Sequence, residues 1–123
     1  MTNPSPEACA EGLRPILEAV ARQGTTLTYL DLARAAGIKP PRAIHRTTEA
    51  LEAMMRADRA AGRPLLAAVV VSAKRAGLPA PGFFRLAGEL GLYFGPDHGP
   101  QAALFHAMEV ERVRAALGRG TGS

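Results

Sequence analysis

Cysteine, tryptophan and long apolar runs are scarce in this sequence, and each scarcity removes a class of protein. Cys9 is the only cysteine among 123 residues, so an intramolecular disulfide and a cysteine-rich zinc site are excluded. Tryptophan is absent. The longest apolar run, Leu65 to Val71, falls far short of the roughly 18 to 20 residues that a membrane-spanning helix requires. Met1 to Glu7 holds no basic residue, and Glu11, Arg14 and Glu18 stand where a secretory signal would be apolar. No signal is expected, and a cytoplasmic location is.

Catalytic patterns are equally sparse. His45, His98 and His106 are the 3 histidines, and His98 and His106 lie farther apart than the spacing of about three to five that lets one helix present two metal ligands. No metal is expected. Gly88, Gly91 and Gly95 are not framed by a strand and a helix start, which excludes a dinucleotide fingerprint. Ser72 has no His–Asp partner in the sequence, so a hydrolase site is not expected either. The chain reads as a non-enzyme without a cofactor.

The apolar fraction is 47% and the charged fraction 21%, which fits one globular domain over residues 1–117 with a disordered tail at 118–123. The net charge of +4 is unevenly spread. Between Leu32 and Gly88 the basic residues are Arg34, Lys39, Arg42, Arg46, Arg56, Arg59, Arg63, Lys74, Arg75 and Arg85, against Glu49, Glu52 and Asp58 alone. The segments on either side are slightly acidic. A positive field localised in this way suits a polyanion, because each phosphate neutralised releases condensed counterions.

Proline and glycine divide the chain into five helical segments and one strand. Ser5-Pro6 opens a helix to Gln23, which Pro15 is expected to interrupt. Thr28 caps a short helix from Tyr29 to Ala36, with Asp31 as the third residue of a capping box and Gly37 as the stop. Pro41 begins the longest periodic segment, to Ala61. Its inward stripe is expected at Ile44, Thr48, Leu51 and Met55, with Arg42, His45, Arg46 and Glu49 on the other side. Leu65 to Ser72, rich in β-branched residues, reads as a buried strand. Ala73-Lys74-Arg75-Ala76-Gly77 follows as a basic turn. Phe83, Leu86, Ala87 and Leu90 mark a helix ending at Gly91. A last helix spans Pro100 to Leu117, with Asp97-His98 in the turn before it.

The order short helix, turn, long basic helix, strand, basic turn predicts a mainly α, α+β fold: a winged helix-turn-helix-like single domain with one short sheet and C-terminal helices. In that arrangement the second helix of the pair, here 41–56, lies in the major groove of duplex DNA and its first turns carry the side chains that meet base edges. Those are Arg42, His45, Arg46 and Glu49, and Lys74 and Arg75 occupy the 73–77 wing. Arginine suits guanine and phosphate because its planar fork makes two parallel hydrogen bonds.

Gly24-Thr25-Thr26-Leu27-Thr28-Tyr29-Leu30-Asp31-Leu32-Ala33, followed by Gly37 and Pro41-Arg42-Ala43-Ile44, resembles the DNA-binding domain of the alkylguanine-DNA alkyltransferases and alkyltransferase-like proteins. There the pattern reads G-x-V-x-T-Y-G-D-L-A and then R-A-V-G. The resemblance extends over residues 13–47. It implies a winged helix in which Arg42 matches the arginine that fills the duplex when a base is flipped, and Tyr29 the tyrosine beside the phosphate of that nucleotide. The family's P-C-H-R-[VI] segment is not matched, since Leu66-Ala67-Ala68-Val69-Val70-Val71 stands there with neither Cys nor His. Alkyl transfer needs that thiolate and is not expected. His45 also replaces the family's glycine. Gly77-Leu78-Pro79 and Gly82-Phe83-Phe84 are similar to segments of small bacterial proteins with a winged-helix core, a resemblance that implies no activity.

Phe83, Phe84, Tyr93, Phe94 and Phe105 crowd the last third of the chain, and Tyr29 is the one other aromatic. Phe83 and Phe105 are expected to close the core over Val69-Val70-Val71; the other reading is that adjacent Phe83 and Phe84 do not share a core, which leaves one of them for a partner. The alternative function is thus a protein-interaction adaptor or a small homo-oligomeric module that uses the aromatic region 83–105, with Phe84 and Phe94 as contact residues.

Overall fold

The structure, a computed structural model, describes residues 4–118; of the expected tail at 118–123, residues 119–123 lie outside them. Helix α1 spans Pro6–Arg22, and Ser5 Oγ accepts from the Ala8 amide at 3.1 Å with Pro6 in the first turn, as the sequence predicts. The expected interruption at Pro15 does not occur. Pro15 lies on the exposed side, where water reaches the carbonyl that loses its partner. Ala10, Leu13, Leu17 and Ala21 keep one buried face across it.

Strand β1 (Leu27–Thr28) leads directly into α2 (Tyr29–Ala35), whose first turn is capped by Thr28 Oγ1 accepting from the Asp31 amide at 3.1 Å. Gly37, at φ +72°, ends α2 in the left-handed conformation that a side chain disfavours. Helix α3 spans Ala43–Ala60, not from Pro41, because Arg42 is itself left-handed at φ 62°, ψ 34° and stands outside the helix.

The inward stripe of α3 is also corrected. Thr47, Ala50, Leu51, Met54, Met55 and Asp58 are buried, Thr48 is half-buried and Ile44 is exposed. Helical steps of about 100° place Thr48 at one edge of the buried arc and Ile44 inside it, between Leu51 and Met55, while Thr47 and Met54 occupy its middle; Ile44 is exposed although its direction is the buried one, because it stands in the first turn of the helix. Thr47 is a polar residue in that middle because its hydroxyl donates to the Ala43 carbonyl at 2.8 Å.

The expected strand over 65–72 is replaced by a 3-10 turn at Leu66–Val69 and a short strand β2 at Val70–Val71. Three buried polar side chains hold the turn. Glu109 Oε2 accepts from the Leu65 amide at 2.7 Å, Asp58 Oδ2 accepts from the Leu66 amide at 3.2 Å, and His106 Nε2 lies 2.8 Å from the Ala68 carbonyl. With these partners the backbone needs no second strand alongside, and β propensity is overridden. β1 and β2 pair in parallel, Leu27 opposite Val70 and Thr28 opposite Val71.

Helix α4 spans Pro81–Glu89 and α5 spans Gly99–Ala116. The fold is mainly helical with a two-stranded sheet. One core joins α1, α3, the 3-10 turn, α4 and α5. Phe83 and Phe84 are both buried, at 5% and 3% exposure, so the expectation that one faces outward is overturned. Their rings meet edge to face at 5.3 Å. Phe83 then reaches Phe105 and His106, and Phe84 reaches Tyr93. α4 is covered both by α5 and by the segment between the two helices, which gives successive residues separate places in one core.

Candidate nucleic-acid interface

The head of α3 gathers most of the predicted site. Lys39, Arg42, His45, Arg46 and Glu49, with Gly37, Pro40 and Pro41, line an open cleft of about 710 Å³. The α2–α3 connection crosses in front of the helix start and brings Lys39 to it. Arg46 Nη1 donates to the Lys39 carbonyl at 2.9 Å, tying that connection to α3. His45 and Glu49, one turn apart and both about half exposed, pair at 3.4 Å. Lys39 was not singled out from the sequence as a site residue. Its signal was present as a base three residues before Arg42, in a stretch that reads only as a helix breaker.

The electrostatics of this face are one-sided. α3 has no side-chain cap and no acid in its first turn, so the positive end of the helix dipole adds to the three cationic side chains. Glu49 is the sole carboxylate in the cleft lining. Arg42 is exposed, and its left-handed backbone costs about 1–2 kcal/mol relative to the right-handed region.

The other three residues predicted for DNA binding, and the two predicted for protein contact, lie elsewhere. Tyr29 is half-buried beside Thr48, Glu52 and Phe83, and its hydroxyl accepts from the Ala80 amide at 3.0 Å. Burial raises its pKa, outweighing the lowering by that hydrogen bond and by Arg75. Tyr29 therefore joins α2 to the segment before α4. Arg75 folds inward: its guanidinium donates to the Pro79 carbonyl at 2.6 Å and to the Asp97 carbonyl, and sits 5.9 Å from the Phe84 ring centre. Its charge is spent on holding two loops together. Lys74 is exposed in the 73–77 turn. No strand follows that turn among the described residues. Phe84 is buried and cannot meet a partner, whereas Phe94 is 79% exposed.

Beyond this face, the arrangement is structural. Asp58, fully buried, has Arg14 Nη2 at 2.8 Å and Arg63 Nε at 3.0 Å. Glu109 is buried beside Arg112 Nη1 at 3.3 Å. Burial lowers the pKa of His106 more than its Ala68 hydrogen bond raises it, which keeps the ring neutral with Nε2–H donating. These groups were unassigned in the sequence because nothing local marks a buried acid. Asp97 and His98 pair at 3.0 Å at the surface, and that hydrogen bond is the main cause holding the Asp97 carboxyl below its usual range.

Among the described residues no cluster of three His, Cys, Asp or Glu could hold a metal ion, and no helix is long and apolar enough to cross a membrane. Comparison with known proteins found no matching family model, no similar curated protein and no similar solved structure.

Proposed function

We propose that this chain is a non-enzymatic, helix-turn-helix protein that binds duplex DNA through the head of α3. The observation that carries the reading is Arg42, an exposed arginine held in a left-handed backbone conformation beside Lys39 and Arg46 at an uncapped helix start. Backbone strain at an exposed charged residue is what a binding site exhibits when side-chain placement matters more than local stability. In this reading α2 crosses the backbone, α3 enters the major groove, and Arg42 and Arg46 take phosphate or guanine. In this reading the 73–77 turn takes the part of a wing and contributes Lys74 alone.

The test is a salt titration of binding to random-sequence duplex, read by fluorescence anisotropy. Phosphate contacts from Lys39, Arg42, Arg46 and Lys74 give a log–log slope of roughly −3 to −4. No binding at low salt overturns the reading. A second reading, an adaptor or homo-oligomeric module, is favoured by Phe94, Leu104 and Met108, which expose 79%, 61% and 57% of their surface. It requires a concentration-dependent mass or a bound protein, with duplex affinity absent.

A further inference from the structure

Glu49 lines the cationic cleft together with Lys39, Arg42, His45 and Arg46, and it is exposed on the second turn of α3. Helical steps of about 100° put it between His45 and Arg46, on the side of the helix away from buried Thr47, Leu51 and Asp58. A carboxylate in that place weakens the attraction of the cleft for phosphate, so sequence-independent binding gives it no role. Nor does it hold the arginines in position. Arg46 Nη1 donates to the Lys39 carbonyl at 2.9 Å, and Glu49 pairs instead with His45, Oε2 to Nε2 at 3.4 Å. That pair fixes one carboxylate oxygen and leaves Oε1 to accept from a ligand.

We infer that Glu49 determines the sequence preference of this interface by accepting a hydrogen bond from the 4-amino group that cytosine presents in the major groove. The inference rests on the duplex-binding reading above and specifies its target. An ionised carboxylate only accepts, and the donors of the major groove are the amino groups of cytosine and adenine. Cytosine is the better match. Its amino group adjoins the C5–H edge, whereas the amino group of adenine adjoins N7, an acceptor that repels a carboxylate. Arg42 and Arg46, in the same cleft, complement the O6 and N7 of guanine, so the lining as a whole suits G·C pairs. Where no amino group is in reach, the charge of Glu49 stays unpaired against phosphate and base oxygens. One side chain thus favours the matching site and disfavours the others.

The experiment compares three random-sequence DNA duplex pools of equal length: ordinary DNA, DNA with N4-methylcytosine replacing cytosine, and DNA with N6-methyladenine replacing adenine. In a paired base each methyl takes the place of the amino hydrogen that faces the major groove. Each pool is titrated with the wild-type protein and with Glu49→Ala. Alanine is the best helix former and the position is exposed, so the variant keeps its fold, which its melting temperature verifies. Wild type is expected to bind the N4-methylcytosine pool roughly fivefold or more weakly than ordinary DNA, the lower end of what one matched side chain and base give. It should bind the N6-methyladenine pool as it binds ordinary DNA, and Glu49→Ala should bind all three pools alike. A loss confined to the N6-methyladenine pool overturns the choice of cytosine. A loss in the N4-methylcytosine pool that persists in Glu49→Ala overturns the role of Glu49. Salt-dependent binding by wild type that is equal in all pools overturns this inference and leaves duplex binding standing. No binding to any pool overturns duplex binding itself.

Discussion

Arg42 and His106 show how single residues divide between the proposed interface and the fold. Arg42 lies outside α3 in a conformation that glycine adopts without penalty. Arg42→Gly relieves that strain, partly offset by the greater freedom of glycine in the unfolded chain. The variant is expected to be as stable as wild type or up to about 1 kcal/mol more stable, yet several-fold weaker in duplex binding. Urea unfolding and anisotropy measure the two effects separately. Duplex affinity retained in a folded Arg42→Gly would remove Arg42 from the interface.

His106 titrates in the opposite service. Its folded pKa is lowered by burial, so the unfolded chain takes up a proton first as pH falls. The stability that the neutral ring supplies is complete above the unfolded value of about 6.5. It is lost progressively below that, down to the lowered folded pKa. His106→Gln can still donate to the Ala68 carbonyl and does not titrate. Urea midpoints measured from pH 8 to pH 5 should fall for wild type and fall less steeply for the variant. Parallel pH profiles would show that His106 contributes nothing to the acid limb.

Each element carries signals of different range, and they differ in how far the sequence discloses them. The α1 and α2 caps at Ser5 and Thr28 are local hydrogen bonds, and both stand where side-chain chemistry places them. The buried stripe of α4 at Phe83, Leu86 and Ala87 likewise follows from periodicity. Leu65–Ser72 was not legible, because its turn depends on Asp58, Glu109 and His106 from two distant helices. Ile44 was misplaced because a spacing of three and four identifies the face of a helix but not how far toward its end the neighbours cover that face. The cationic cleft was legible in part. Arg42 immediately precedes the helix that carries His45, Arg46 and Glu49, so the four stay together, while Arg75 is withdrawn by carbonyls of Pro79 and Asp97 that no local pattern announces.

α3 divides along its length, with its head largely exposed and its body in the core. Leu51 is common to the predicted and the observed stripe and is buried. Leu51→Ala is expected to cost about 2–5 kcal/mol by emptying a packed site. A melting curve indistinguishable from wild type would mean that this face of α3 is not packed as described.

At the scale of the whole molecule, the three most exposed large apolar side chains belong to other elements than the cationic cleft. The cationic cleft belongs to the α2–α3 connection and the head of α3, whereas Phe94, Leu104 and Met108 belong to α5 and the loop before it. Duplex binding and protein association are therefore distinguishable by substitution.

The central claim is tested most directly by the duplex affinity of Arg42→Ala/Arg46→Ala. Both side chains line the open cleft and neither belongs to the core. Losing the Arg46 hydrogen bond to the Lys39 carbonyl, made at the surface, should cost no more than about 1 kcal/mol of stability. With the variant shown to be folded by its melting temperature, the account predicts duplex binding weakened at least several-fold and a salt slope shallower by about 2. Unchanged affinity and slope in the folded double variant would contradict it.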